Sequence, residues 1–112
     1  MNTEMRIKDS KEFNEILNTG KKIYNNYYII YYKEKKKENP RFGITQVKKF
    51  GKAFKRNRFH RLLREIIRTN QNLFKNDYDY IIIIRKSCDT LNFKQLESEL
   101  FKLIKERLWK RN

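Results

Sequence analysis

The sequence predicts a single α+β sandwich with elements in the order α-β-β-β-α-β-α. Three observations carry this. Apolar residues recur at helical spacing in three stretches. Strand-forming runs separate those stretches, the clearest being Tyr27–Lys33 and Tyr78–Arg85. No linker, internal repeat or low-complexity tract interrupts the 112 residues, a length that supports one compact domain with a modest core.

Met1–Arg6 is polar and is expected to fray. Asp9 or Ser10 caps a helix to about Asn18, with Phe13, Ile16 and Leu17 on one face and Gly20 ending it. Lys21–Tyr24 is a short strand, and Asn25-Asn26 suits a tight turn because asparagine tolerates positive φ. Tyr27–Lys33 follows as a strand of aromatic and β-branched residues. Alternation puts Tyr27, Ile29 and Tyr31 on one face and Tyr28, Ile30 and Tyr32 on the other. One row belongs to the core; the other, if exposed, is a stacking platform, and the sequence does not rank them.

Glu34–Pro40 is a charged loop closed by Asn39-Pro40. Arg41–Val47 forms a third strand, and Lys48–Gly51 connects it to the main helix, expected over Lys52–Asn70. The amides that open this helix form an anion site. After a polar break at Asn70–Asn76, the unbroken isoleucine run of Tyr78–Arg85 predicts a fully buried strand. Asn92 starts the last helix, whose stripe is Leu96, Leu100, Leu103, Ile104 and Leu108, with a basic end at Lys110-Arg111.

The richest stretch is Lys48–Arg68, which carries nine Lys and Arg against one carboxylate, Glu65. On a helix, Phe59, Leu62, Leu63, Ile66 and Ile67 form a core-facing stripe. Asn57, Arg61, Arg64 and Arg68 fall on the opposite side, flanked by Arg58. Arginines on a helix are usually a solvated face, but such faces mix signs and gain from Glu placed four residues before Lys or Arg. Here like charges repel at i, i+3 and i+4, a local cost that an anionic partner offsets. Planar guanidiniums in a row suit phosphate oxygens, and Asn57 adds a neutral donor and acceptor for a base edge or a 2′-hydroxyl. The face is read as a nucleic-acid face.

The formal net charge of +15, spread along the chain, agrees with a polyanionic partner. A single cysteine, Cys88, rules out an intrachain disulfide or a cysteine metal cluster, and the single histidine, His60, is read as a surface or packing residue. The first thirty residues lack a secretory apolar region, and the longest apolar runs are too short to span a bilayer, so a cytoplasmic protein without a membrane partner is expected. No metalloprotease, Walker or dinucleotide motif is present, and the scattered carboxylates do not suit a protein-borne two-metal nuclease. The chain reads as a binder, with no catalytic residue, metal site or cofactor of its own.

Gly51, Ala53, Arg56-Asn57-Arg58, Arg61, Leu62 and Arg64 resemble the "RNR" signature of the bacterial ribonuclease P protein subunit. The resemblance covers most of the chain. Arg41-Phe42-Gly43-Ile44 with Lys48-Lys49-Phe50-Gly51 resembles that family's glycine-bearing strand and paired lysines, Asp79–Lys86 its last strand, and Phe13–Gly20 its first helix. Thr45-Gln46-Val47 stands where the family usually alternates Ser and Val, and Leu17 where an aromatic is common.

The resemblance implies a left-handed β-α-β crossover around the arginine helix (the ribosomal protein S5 domain 2-like fold) and a single RNA-binding domain over residues 1–112. It implies a protein subunit of an endoribonuclease whose RNA subunit is the catalyst and carries the Mg²⁺. Lys48, Lys49, Lys52, Arg56, Asn57, Arg58, Arg61, Arg64 and Arg68 would then contact the catalytic RNA. Phe13, Leu17 and Tyr31 would line a cleft for the single-stranded 5′ leader of precursor tRNA, and the complex would remove that leader. Two other readings share the charge. A ribosomal-type structural RNA-binding protein would have no effect on tRNA maturation. A DNA regulator would use the helix in a major groove, but no preceding helix and short turn complete a helix-turn-helix, so DNA is not an expected partner.

Overall fold

One four-stranded mixed sheet of order β1-β2-β4-β3 organises the chain, which is seen in a computed structural model that describes residues 6–35 and 39–109. The elements are α1 (Ser10–Thr19), β1 (Lys21–Tyr24), β2 (Tyr28–Glu34), β3 (Arg41–Gln46), α2 (Ala53–Thr69), β4 (Tyr78–Ile84) and α3 (Phe93–Leu103). This is the expected α-β-β-β-α-β-α order. Part of the Glu34–Pro40 loop, the first five residues and the Lys110-Arg111 end lie outside the described residues.

Local chemistry sets the boundaries. Asp9 caps α1, its side chain accepting from Lys11 N at 2.8 Å. Asn25 holds the β1–β2 turn by accepting from the amides of Tyr27 and Tyr28, both at 2.8 Å. Asn92 and Gln95 form a reciprocal capping box at the start of α3. β1 pairs antiparallel with β2, β2 antiparallel with β4, and β3 parallel with β4. The parallel pair needs a crossover, and α2 supplies it.

The main core lies between the sheet and α2 with α3. Tyr28, Ile30 and Tyr32 are the buried row of β2, joined by Tyr80, Ile82 and Ile84 of β4. Phe59, Leu63, Ile66 and Ile67 of α2 close over them, as do Leu96, Leu100 and Leu103 of α3 and the residues Ile104 and Leu108 that continue it. Phe74, inside the expected polar break, packs edge-on against Phe42 and Tyr80, with centroids 4.8 and 5.1 Å apart.

α1 lies across the other face, over β2 and β4. It buries Ile16, and Ile81 is buried on the same side, while Ile29, Tyr31 and Ile83 keep part of their surface in solvent. This corrects the expectation that Tyr78–Arg85 is fully buried. A single ten-residue helix cannot cover both central strands along their length. A second correction concerns Arg6, expected to fray. It bridges to Phe42 in parallel, and Ile7 N donates to Phe42 O at 3.1 Å, so the chain entering α1 is tied to the outer edge of β3. Among the described residues, no helix is long and apolar enough to cross a membrane.

Candidate nucleic-acid interface

The arginine helix is aimed by what precedes it. After β3, Val47 N donates to Ile84 O and Phe50 N to Val47 O, turning the chain back, and Phe50 is buried edge-on against Phe59 with centroids 5.1 Å apart. With Phe50 inward, Lys48 and Lys49 stand in solvent. Gly51 has φ +143°, a conformation that L side chains rarely adopt. The N-cap of α2 is Lys52, which offers no side-chain acceptor, so the opening amides are left without a side-chain cap.

Burial of Phe59, Leu63, Ile66 and Ile67 fixes the rotation of α2 about its axis. Arg56, Asn57, Arg58, Arg61 and Arg68 are therefore exposed, and Arg64 is half-buried at the border. Two basic side chains of this helix are engaged. Arg68 Nε donates to Glu65 Oε1 at 3.1 Å, and Lys55 reaches Asp89 at 2.8 Å. Among the described residues, no carboxylate forms an ion pair with Arg56, Arg58, Arg61 or Arg64.

Phe54 is a residue that sequence reasoning missed. It is 72% exposed, the highest of the large apolar side chains among the described residues. At i−3 and i−4 from Asn57 and Arg58, it stands on the arginine side of the helix, away from the core stripe. The helical wheel held that signal.

The three residues expected to line a cleft, Phe13, Leu17 and Tyr31, are all half-buried and all belong to the α1 side of the sheet. Phe13 rests on Gly43, where a side chain would meet it. It lines a cavity of about 110 Å³ with Arg6, Ile7, Gly43, Ile44, His60 and Arg64. That cavity joins the α1 side to the arginine helix. Leu17 and Tyr31 lie outside it, and Tyr31 has Lys22 Nζ 5.9 Å from its ring centroid.

His60 is half-buried, and its Nε2 donates to Gln46 Oε1 at 2.6 Å. Burial first, then the charges of Arg64, Arg56 and Arg6, hold its pKa below the usual histidine value. In the first turn of α1, beside Phe13 in the chain, Glu12 accepts from Arg41 at 3.1 and 3.0 Å, and Arg41 also donates to Asp79 at 3.1 and 2.8 Å. Lys35 also reaches Asp79 at 3.0 Å, and Lys33 reaches Glu15 at 2.7 Å. Burial disfavours the Asp79 carboxylate, but Arg41 and Lys35 outweigh it and keep the pKa below the ordinary range. This network pins α1 to the strand ends and so sets the width of the open sheet face. Sequence separation hid it: Glu12, Arg41 and Asp79 come from three distant segments.

Comparison with known proteins bears on the family and the fold. The family model described as Ribonuclease P matches residues 1–107. The chain is 41% identical over 109 residues to the ribonuclease P protein component of Fusobacterium nucleatum, covering 94% of this chain and 96% of that one. It is 41% identical over 101 residues to that of Finegoldia magna, covering 89% and 88%. Among solved structures, the RNase P protein from Thermotoga maritima superposes with a TM-score of 0.82 at 30% identity, covering 90% of this chain and 96% of that one. The Staphylococcus aureus RNase P protein gives 0.84 at 27% identity, covering 93% and 95%. The chain belongs to the ribonuclease P protein family.

Proposed function

We propose that this protein binds the catalytic RNA of ribonuclease P through α2 and the 5′ leader of precursor tRNA through the open sheet face beside α1. The complex then removes the leader endonucleolytically to give the mature tRNA 5′ end. The observation that carries this reading is the set of exposed side chains Arg56, Arg58 and Arg61 on α2, which have no carboxylate ion-pair partner among the described residues, together with the partly uncovered sheet face that carries Tyr31. Within it, Lys48, Lys49, Lys52, Arg56, Asn57, Arg58, Arg61, Arg64 and Arg68 contact the catalytic RNA. Phe54 joins them by stacking on an unpaired base, because an exposed ring in a cationic field has a nucleobase as its natural partner.

Phe13, Leu17 and Tyr31 receive the leader. The cavity shared by Phe13, His60 and Arg64 supports a continuous path between the two surfaces. Mg²⁺ on the RNA subunit would supply the hydrolytic chemistry, and this chain's part is to screen phosphate repulsion and hold the leader. Among the described residues, no three His, Cys, Asp or Glu side chains gather as a metal-ligand group.

The test is a paired affinity measurement on the reconstituted holoenzyme. Tyr31→Ala weakens binding of precursor tRNA by about 1–3 kcal/mol, the usual worth of one base–aromatic stack, and leaves mature tRNA unaffected. Equal losses for both tRNAs with a lowered melting temperature would make Tyr31 a structural residue and end the leader assignment.

A further inference from the structure

α1 spans β2 and β4 and leaves the outer strand β1 uncovered on the same face of the sheet. In β1 only Ile23 turns into the core; Lys22 and Tyr24 project to the α1 side and are exposed. The register places Lys22 beside Tyr31 and Tyr24 beside Ile29. Adjacent strands lie about 4.8 Å apart, so β1 is the next step sideways from the Tyr31 strand. Tyr24 is 59% exposed, and Lys22 Nζ stands 5.8 Å from its ring centroid and 5.9 Å from that of Tyr31. Two rings thus flank one ammonium, and among the described residues no carboxylate pairs with it.

An exposed ring on an edge strand leaves its polar strand edge open to unwanted pairing and gains nothing from the core. The chemistry that uses such a group is an unpaired, anionic, base-bearing chain. Bases stack on rings without regard to sequence, and a lysine between two rings meets the intervening phosphate.

We propose that Tyr24 and Lys22 continue the leader path past Tyr31, with a leader nucleobase on the Tyr24 ring and a leader phosphate on the Lys22 ammonium. This inference rests on the leader reading of Tyr31. It makes the protein sensitive to leader length: nucleotides far enough from the cleavage site to pass Tyr31 gain contact, and shorter leaders do not.

The experiment measures holoenzyme affinity for precursor tRNAs whose leaders are lengthened one nucleotide at a time. Wild type, Tyr24→Ala, Tyr24→Phe, Lys22→Ala and Tyr31→Ala are compared. The expected result is that Tyr24→Ala loses about fivefold or more in affinity, but only beyond a threshold leader length, while Tyr24→Phe keeps the affinity. Lys22→Ala shows the same threshold and a shallower salt dependence. Tyr31→Ala loses affinity already with the shorter leaders. If Tyr24→Ala tracks wild type at every length while Tyr31→Ala does not, the β1 extension is wrong and the cleft reading stands. If Tyr31→Ala is silent at every leader length, the leader reading of Tyr31 fails, and the β1 path that continues from it is overturned with it. A lowered melting temperature with no leader-dependent change would overturn the β1 site and leave Tyr24 a packing partner of Lys22.

Discussion

Phe13 lies so close over Gly43 that a Cβ on Gly43 would stand 2.6 Å from Phe13 Cε2. The missing side chain on β3 is what lets α1 settle at this depth. Gly43→Ala should push the Phe13 ring away and cost about 1–3 kcal/mol, the range for overpacking. A smaller ring partner relieves the clash, so Gly43→Ala combined with Phe13→Leu should recover much of the loss in a denaturation series. No recovery would mean that Phe13 is not the group that Gly43 accommodates.

Arg61 is exposed, whereas Arg64 is half-buried and lines a cavity with Phe13 and His60. Arg61→Ala and Arg64→Ala should each weaken binding to the catalytic RNA by about 1–3 kcal/mol if the contact is bidentate or to a base edge. Circular dichroism should stay unchanged, since both project away from the buried stripe. Phe54→Ala should weaken the same complex by a similar amount with the salt dependence preserved, because a stacking contact releases no counterions. A salt slope that falls with Phe54→Ala would point to displaced lysines or arginines in place of a lost stack.

Much of this architecture was legible in the sequence. The α2 stripe and the α3 stripe follow from spacing alone, and all five residues assigned to the α3 stripe are buried. The two rows of β2 could not be ranked, because each holds two tyrosines around an isoleucine. The choice fell to tertiary structure: two helices cover the Tyr28 row and one short helix only partly covers the Tyr31 row. The Arg6 bridge to β3, the Arg41–Glu12–Asp79 network and the seat of Phe13 on Gly43 left no local pattern, since each joins segments far apart in the chain. Phe54 is different. Its position among the arginines was readable from the helical wheel, but an aromatic is ordinarily assigned to a core.

Asp79 is the buried acid of the described residues, and Arg41 and Lys35 hold its pKa down. Asp79→Ala leaves Arg41 half-satisfied and should cost about 3 kcal/mol, the lower end for breaking a buried pair. The sign of the pH effect follows from the depressed folded-state value: the stabilisation is present above the ordinary aspartate pKa and is lost as pH falls through the lowered one. Wild-type stability should therefore decline in strong acid, and that part of the decline should vanish in Asp79→Asn. An unchanged acid limb in the variant would assign it to other carboxylates.

His60 titrates in the opposite chemical sense, as a base whose folded-state pKa is lowered by burial and by Arg64, Arg56 and Arg6. Neutral His60 is favoured by folding, so its contribution is complete above the ordinary histidine value and fades as pH falls through the lowered one. Gln46 is its hydrogen-bond partner and carries no charge. A phosphate placed among these arginines would raise the His60 pKa, so RNA binding should take up a proton near that pH. Calorimetry in buffers of different ionisation enthalpy reads this directly, and His60→Gln should abolish the uptake. Uptake that persists in His60→Gln would place the proton on the RNA.

The most direct measurement is cleavage of precursor tRNA at low Mg²⁺ by the catalytic RNA, with and without this protein, beside a reaction containing the protein alone. The division of labour proposed for this chain predicts accurate leader removal that is strongly stimulated when protein joins RNA, and none by the protein alone. No stimulation of the RNA, or accurate cleavage by RNA-free protein, would contradict it.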